Sequence, residues 1–232
     1  MFSVPACCSH DMTSIHVGQT PTEASSQPPA YIPKVAEVDI LLLGSPGTGK
    51  STFLARLPQV HDGPVTPATP LNPVDLEARP FTFSVSLFRR PYTFRIWPST
   101  GTLFTDPFPD TPKFVIITYD VTSRASLYNA QFYWRKQFMF HYDALEHTTP
   151  VMLLGLKRDL RTEELDGEGV YVCVMPREGL EAAQNMRCDK YAECSALTGE
   201  LLFETVEDIT RVAARTTTEK GGLSEGNDCS VM

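Results

Sequence analysis

The chain has 232 residues, 42% of them hydrophobic, with six cysteines and a formal net charge of −8. That acidity, with no dense Lys/Arg cluster, excludes a protein that tracks a nucleic-acid backbone by charge, so no nucleic-acid partner is expected. No run approaches the roughly 18 to 20 apolar residues of a spanning helix, the start of the chain lacks a secretory signal layout, and the cysteines show no CxxC spacing, so a cytoplasmic protein with reduced thiols is expected.

Residues 1–35 are rich in Ser, Thr, Pro and Gln without apolar periodicity and read as a disordered tail, and residues 216–232 read as a second flexible tail. One domain is expected over 36–215. It opens with "AEVDILLLG", a buried strand, and "GKSTFLARL", a helix; the proline-punctuated stretch from Pro58 to Pro80 is then a long loop. "FTFSVSLF" and "YTFRIW" alternate as an antiparallel hairpin around a turn at Arg89, Arg90 and Pro91. "KFVIITYD" is a strand, and "SRASLYNAQFYWRKQFMFHY" a helix with Leu127, Ala130, Trp134 and Phe138 on its apolar face. "VMLLGL" and "KYAEC" are further strands, and "PREGLEAAQNMR", with Pro176 in its first turn, and "GELLFETVEDITRVAA" further helices. The alternation predicts an α/β fold: a mostly parallel six-stranded sheet with one antiparallel edge hairpin and helices on both faces. Ligands of such sheets sit beyond the carboxyl ends of the strands, where Gly44–Thr52, Leu156–Asp159 and Ser195–Leu197 would converge.

The stretch Gly44, Ser45, Pro46, Gly47, Thr48, Gly49, Lys50, Ser51 fits G-x-x-x-x-G-K-[ST], with Thr52 next and a buried strand and a helix on either side. This is a phosphate-binding loop and implies a P-loop NTPase fold. Its glycines let backbone N–H groups curl around phosphates, Lys50 reaches the terminal phosphates, and the Ser51 hydroxyl is a ligand for Mg²⁺.

A carboxylate distinguishes guanine from adenine, because it accepts from guanine N1–H and N2–H₂ together. Lys157 and Asp159 follow a buried strand, and "ECSALTGE" follows the next. In these motifs, in "YDVTSRAS" and in the extra residues before "PREGL", the chain resembles the Ras superfamily of small GTPases, the Rho branch most closely, over about Glu37 to Arg215. The resemblance implies the small G-protein version of the fold, GTP/GDP and Mg²⁺ as ligands, and effector and regulatory proteins of the Rho type as partners. By it, Asp159 reads the guanine edge and the Lys157 stem lies along the base. Ser195, Ala196 and Leu197 form the second base loop, in which the Ala196 N–H meets the base carbonyl. Leu156 stands where the family has Asn, and Leu197 where it has Lys.

The resemblance also locates departures. The family's Asp-x-x-Gly-Gln is here "PSTGT": Gly101 is kept, Pro98 replaces the metal-water Asp, and Thr102 replaces the Gln that orients the attacking water. Hydrolysis is therefore expected to be weak. Pro46 crowds the space an arginine finger would enter. Thr69, with Thr66 as second choice, matches the switch threonine that ligates Mg²⁺, and His61 is the one candidate for covering the base edge. The terminal "CSVM" has C-a-a-X form, so Cys229 is the expected prenylation site, with Cys7 and Cys8 as other acylation candidates and partial membrane association at the cytoplasmic face. Two alternatives stand beside the switch: a pseudo-GTPase acting as a lipid-anchored interaction module, and a P-loop ATPase or kinase with Arg89 and Arg90 in a lid.

Overall fold

The computed structural model describes residues 35–60, 65–67, 70–71, 74, 80–87, 90–100, 108–142 and 149–217. The expected tails therefore fall almost wholly outside the described residues. Thr216 and Thr217 are the exception: their N–H groups return to Ala213 and Ala214 and finish the last helix.

Six strands form one sheet: β1 (Ala36–Leu43), β2 (Phe81–Leu87), β3 (Arg90–Pro98), β4 (Phe114–Asp120), β5 (Val151–Leu156) and β6 (Lys190–Glu193). Their order is β2-β3-β1-β4-β5-β6, with β2 antiparallel to β3 and every other pair parallel. The inner strands read as unbroken Val/Ile/Leu runs because both sheet faces are covered. On β1, Ile40 and Leu42 face one core with Phe53 and Leu54 of α1 (Lys50–Arg56) and Val206 and Ile209 of α5 (Leu202–Arg215). Leu41 and Leu43 face the other core, with Leu127, Trp134 and Phe138 of the middle helical run and Ala182 and Ala183 of α4 (Pro176–Asn185).

The hairpin turn is tighter than the sequence indicates. Leu87 pairs with Arg90, so Arg90 and Pro91 are strand residues, while Arg89 lies outside the described residues. Pro91 is tolerated because the pairing of β3 with β1 starts only at Tyr92, so its missing N–H forfeits no bond to that strand.

The middle helix is expected as one regular element and is instead three: α2 (Arg124–Asn129), a π-helical turn (Ala130–Trp134) and α3 (Arg135–His141). Ser123 caps its start, its Oγ accepting the Ser126 N–H at 3.2 Å. The π turn adds a residue without losing the apolar face: Leu127, Ala130, Trp134 and Phe138 all stay buried. Pro176 does start α4, where the Glu178 carboxylate accepts the Met175 N–H at 2.9 Å.

Candidate functional site

The phosphate loop joins β1 to α1 and its shape demands glycine. Gly47 and Gly49 have φ of 80° and 106°. At Gly44 a Cβ would stand 2.1 Å from Thr118 Oγ1, so β4 itself forbids a side chain there. The loop is pinned from several elements. Lys50 Nζ donates to the Gly44 and Ser45 carbonyls at 2.6 and 3.0 Å. Thr48 Oγ1 donates to the Ser45 carbonyl at 3.0 Å and lies 3.2 Å from Thr118 Oγ1, which donates to the Leu43 carbonyl at 2.9 Å. Ser99 Oγ donates to the Gly44 carbonyl at 3.2 Å, and Trp134 Nε1 reaches Ser45 Oγ at 3.3 Å from the π turn.

Of the expected site residues, Pro46, Gly47, Gly49, Lys50, Ser51, Thr52 and Lys157 line one cavity of about 540 Å³, together with Ser99 and Thr100. Its chemistry is cationic, and among the described residues no carboxylate lines it. Pro98 is buried at the end of β3 beside Leu42 and brings neither charge nor N–H. A phosphate chain fits this lining: two ammonium groups, a hydroxyl and a helix N-terminus. For Mg²⁺ the lining offers the Ser51 hydroxyl alone.

Beyond the cavity, the loops after β5 and β6 are locked together. Lys157 has φ of 62°, and its ammonium meets Asp120 Oδ2 at 2.6 Å while Asp120 Oδ1 accepts the Thr122 N–H and hydroxyl. The Arg158 N–H donates to the Cys194 carbonyl at 3.2 Å, and its guanidinium pairs with Glu200. Arg161 forks onto Glu193 at 2.7 and 2.5 Å, and the same carboxylate accepts Tyr119 Oη and Tyr191 Oη. Burial alone would raise the Glu193 pKa, but the Arg161 and tyrosine bonds outweigh it and hold the carboxylate below its ordinary value. Two groups in these loops are untaken. The Asp159 carboxylate and the Ala196 N–H bond to no described residue. Ser195 is fully buried and Leu197 half exposed, and neither they, Ala196 nor Asp159 line the cavity described above.

Thr69, Gly101, Thr102, His61, Cys7, Cys8 and Cys229 lie outside the described residues. Thr66 is described, exposed, and absent from the cavity lining.

Sequence reading overlooked three groups. Asp120 is the anchor of Lys157; its signal is an acid ending an otherwise apolar strand. Glu193 with Arg161 clamps the two base loops. Arg56 is the third: it sits at the end of α1, fully buried, donating from Nε to the Ala196 carbonyl at 2.9 Å and from Nη1 to Gln59 Oε1 at 2.8 Å and the Pro70 carbonyl at 3.3 Å. Its burial lowers its pKa from the ordinary arginine value. An arginine inside "FLARL" was the available clue.

A model of the Ras family matches residues 39–215 of the chain. The chain belongs to the Ras family. Two curated relatives point within that family: the GTP-binding protein RHO2 of Saccharomyces cerevisiae is 35% identical over 119 residues, covering 51% of this chain and 58% of the relative. The GTP-binding protein rho1 of Schizosaccharomyces pombe is 34% identical over 111 residues, covering 46% of this chain and 52% of the relative. This Ras-family chain thus spans a little over half the length of the curated relatives it matches. It carries the family's sheet order and phosphate loop, and among the described residues no helix is long and apolar enough to cross a membrane.

Proposed function

We propose that this Ras-family chain is a Rho-like guanine-nucleotide switch, with residues 36–215 as its G domain, that binds GTP or GDP and hydrolyses GTP slowly. The observation that carries the reading is the pair of untaken groups beside a fully formed phosphate loop. The Asp159 carboxylate accepts from guanine N1–H and N2–H₂, and the Ala196 N–H donates to the base carbonyl, a pattern adenine does not complement. Every other carboxylate around them, Asp120, Glu193 and Glu200, is already paired. Lys50 meets the terminal phosphates, and the Lys157 stem, whose Cε lies 3.7 Å from where a Gly49 Cβ would be, lies along the base. The relatives' names as GTP-binding proteins support this reading.

Mg²⁺, when bound, neutralises the phosphate charge; Ser51, with Thr69, is the residue pair assigned to hold it. Pro98 leaves the metal's water without a carboxylate and Thr102 leaves the attacking water without an amide, which is the basis for slow turnover. Gly101 keeps the backbone position that senses the terminal phosphate. The lining without a carboxylate also favours a second reading, a pseudo-GTPase that acts as an interaction module. The ATPase or kinase reading loses its one strand-end acid, because Asp120 is engaged by Lys157. Partners are effector and regulatory proteins of the Rho type, and a prenyl group on Cys229 gives partial residence at the cytoplasmic face of a membrane.

The test is to denature the purified chain, separate the released nucleotides by chromatography, and compare GTP, XTP and ATP binding with Asp159→Asn. Bound GDP or GTP, and a shift of the variant toward XTP, are expected. Equal affinity for ATP and GTP in the unaltered chain overturns the assignment.

A further inference from the structure

A second cavity of about 500 Å³ lies between the middle helical run and α4, and it is built around cations. Arg135 is 8% exposed, its Nε donates to the Met186 carbonyl at 3.1 Å, and its guanidinium carbon stands 5.7 Å from the Phe138 ring centroid. Its Nη1 is buried and has no hydrogen-bond partner. A guanidinium offers five donors, so one carbonyl leaves this buried cation far from satisfied. Lys136 and Arg187 line the same cavity, and neither forms an ion pair with a described residue. Among the described residues no carboxylate lines it, in a chain whose formal net charge is −8. Three unpaired cations around one groove in an acidic protein call for an anionic partner.

The remaining lining indicates what kind. A single carboxylate would neutralise one of the three charges, whereas a phosphate monoester carries about −1.5 to −2 at neutral pH and three acceptor oxygens. Arginine pairs with phosphate through two parallel N–H bonds. Phe132 is exposed beside the cations, with Lys136 Nζ 5.9 Å from its ring centroid, and offers a flat apolar surface. Gln131 and Asn185 add neutral amides at the rim. A cavity of this volume suits a ligand of metabolite size better than a bare ion. We infer that this groove binds a phosphate monoester: the phosphate docks on Arg135 between Lys136 and Arg187, and the group that carries the phosphate lies on Phe132. The assignment is independent of the guanine-nucleotide reading, since it shares no residue with the phosphate loop.

Calorimetric titration of the full unlipidated chain with phenyl phosphate tests it, using Lys50→Ala, Arg135→Met and the pair Lys136→Gln with Arg187→Gln. Saturable binding is expected that survives Lys50→Ala, exceeds that of inorganic phosphate, and falls at least about tenfold in Arg135→Met and in the double variant, the loss expected from one charged hydrogen bond. Cosedimentation with phosphatidylcholine vesicles containing phosphatidic acid separates the sources: binding that disappears in the double variant assigns a lipid headgroup, and binding of phenyl phosphate alone assigns a soluble ligand. No saturable binding to the unaltered chain, or binding that is lost in Lys50→Ala and kept in the double variant, overturns the inference. The double variant replaces exposed side chains and decides the matter if Arg135→Met fails to fold.

Discussion

Replacing Arg56 by methionine removes the group that ties α1 to the second base loop and to the segment at Pro70, at nearly constant side-chain length. Three hydrogen bonds are lost, to the Ala196 carbonyl, Gln59 Oε1 and the Pro70 carbonyl. At about 1.5 to 3 kcal/mol each for a charged donor, the gross loss is roughly 5 to 9 kcal/mol. Against it stands the desolvation of a guanidinium that is 0% exposed, which costs several kcal/mol and no longer has to be met. The Pro70 carbonyl keeps its bond from Gln59 Nε2 at 3.0 Å, so the Ala196 carbonyl is the acceptor that suffers most. A net loss of about 2 to 4 kcal/mol follows, which at a urea slope near 2 kcal/mol/M lowers the unfolding midpoint by about 1 to 2 M. Because the Ala196 N–H is assigned to the base, a fluorescent guanine nucleotide should also dissociate faster, tenfold for each 1.4 kcal/mol of the loss that falls on the bound state. Stopped-flow displacement measures that rate. A midpoint shift below about 0.25 M refutes the energetics, and a stability loss with an unchanged dissociation rate refutes the link to the base loop.

Single-turnover hydrolysis of GTP should be slow, and Pro98→Asp together with Thr102→Gln should raise it well above either change alone; fast phosphate release by the unaltered chain contradicts this. The Glu193 carboxylate titrates below its ordinary value of about 4.3 in the folded chain. Its contribution is therefore complete above that value and is lost as the pH falls through the folded pKa. Urea midpoints of the unaltered chain should thus drop more steeply than those of Glu193→Gln between about pH 5 and pH 3, and parallel curves would count against the Arg161 clamp. Cys229→Ser should move the chain from membrane to cytosol on fractionation, and the move should be partial at the start, since one lipid chain holds reversibly.

The sheet was legible because its signal is local: "DILLL", "FVIIT" and "VMLLGL" are apolar runs that only a strand covered on both faces needs. The phosphate loop was legible for a similar reason, its glycines, lysine and serine being fixed in spacing by the backbone shape they serve. What sequence could not reveal was which distant residue each polar side chain meets. Arg56 and the Ala196 carbonyl are 140 positions apart, and nothing in either segment announces the other. Lys157 was readable as a residue for the base, but not its Asp120 anchor, because an acid at a strand end serves many roles. The turn was misplaced by Pro91, whose usual meaning is set aside by a strand that starts before its second neighbour does.

The π turn at Ala130–Trp134 carries a further consequence. Each residue of a helix turns it by about 100°, so removing one from this stretch would restore a uniform α-helix and rotate everything after it by that amount. Trp134 now reaches Ser45 in the phosphate loop while its neighbour Arg135 points to the Met186 carbonyl on the α4 side. A chain without the extra residue would have to give up one of these contacts to keep the other. The turn therefore works like a gear tooth between the two cavities, and insertions or deletions on this helix are felt at both or at neither.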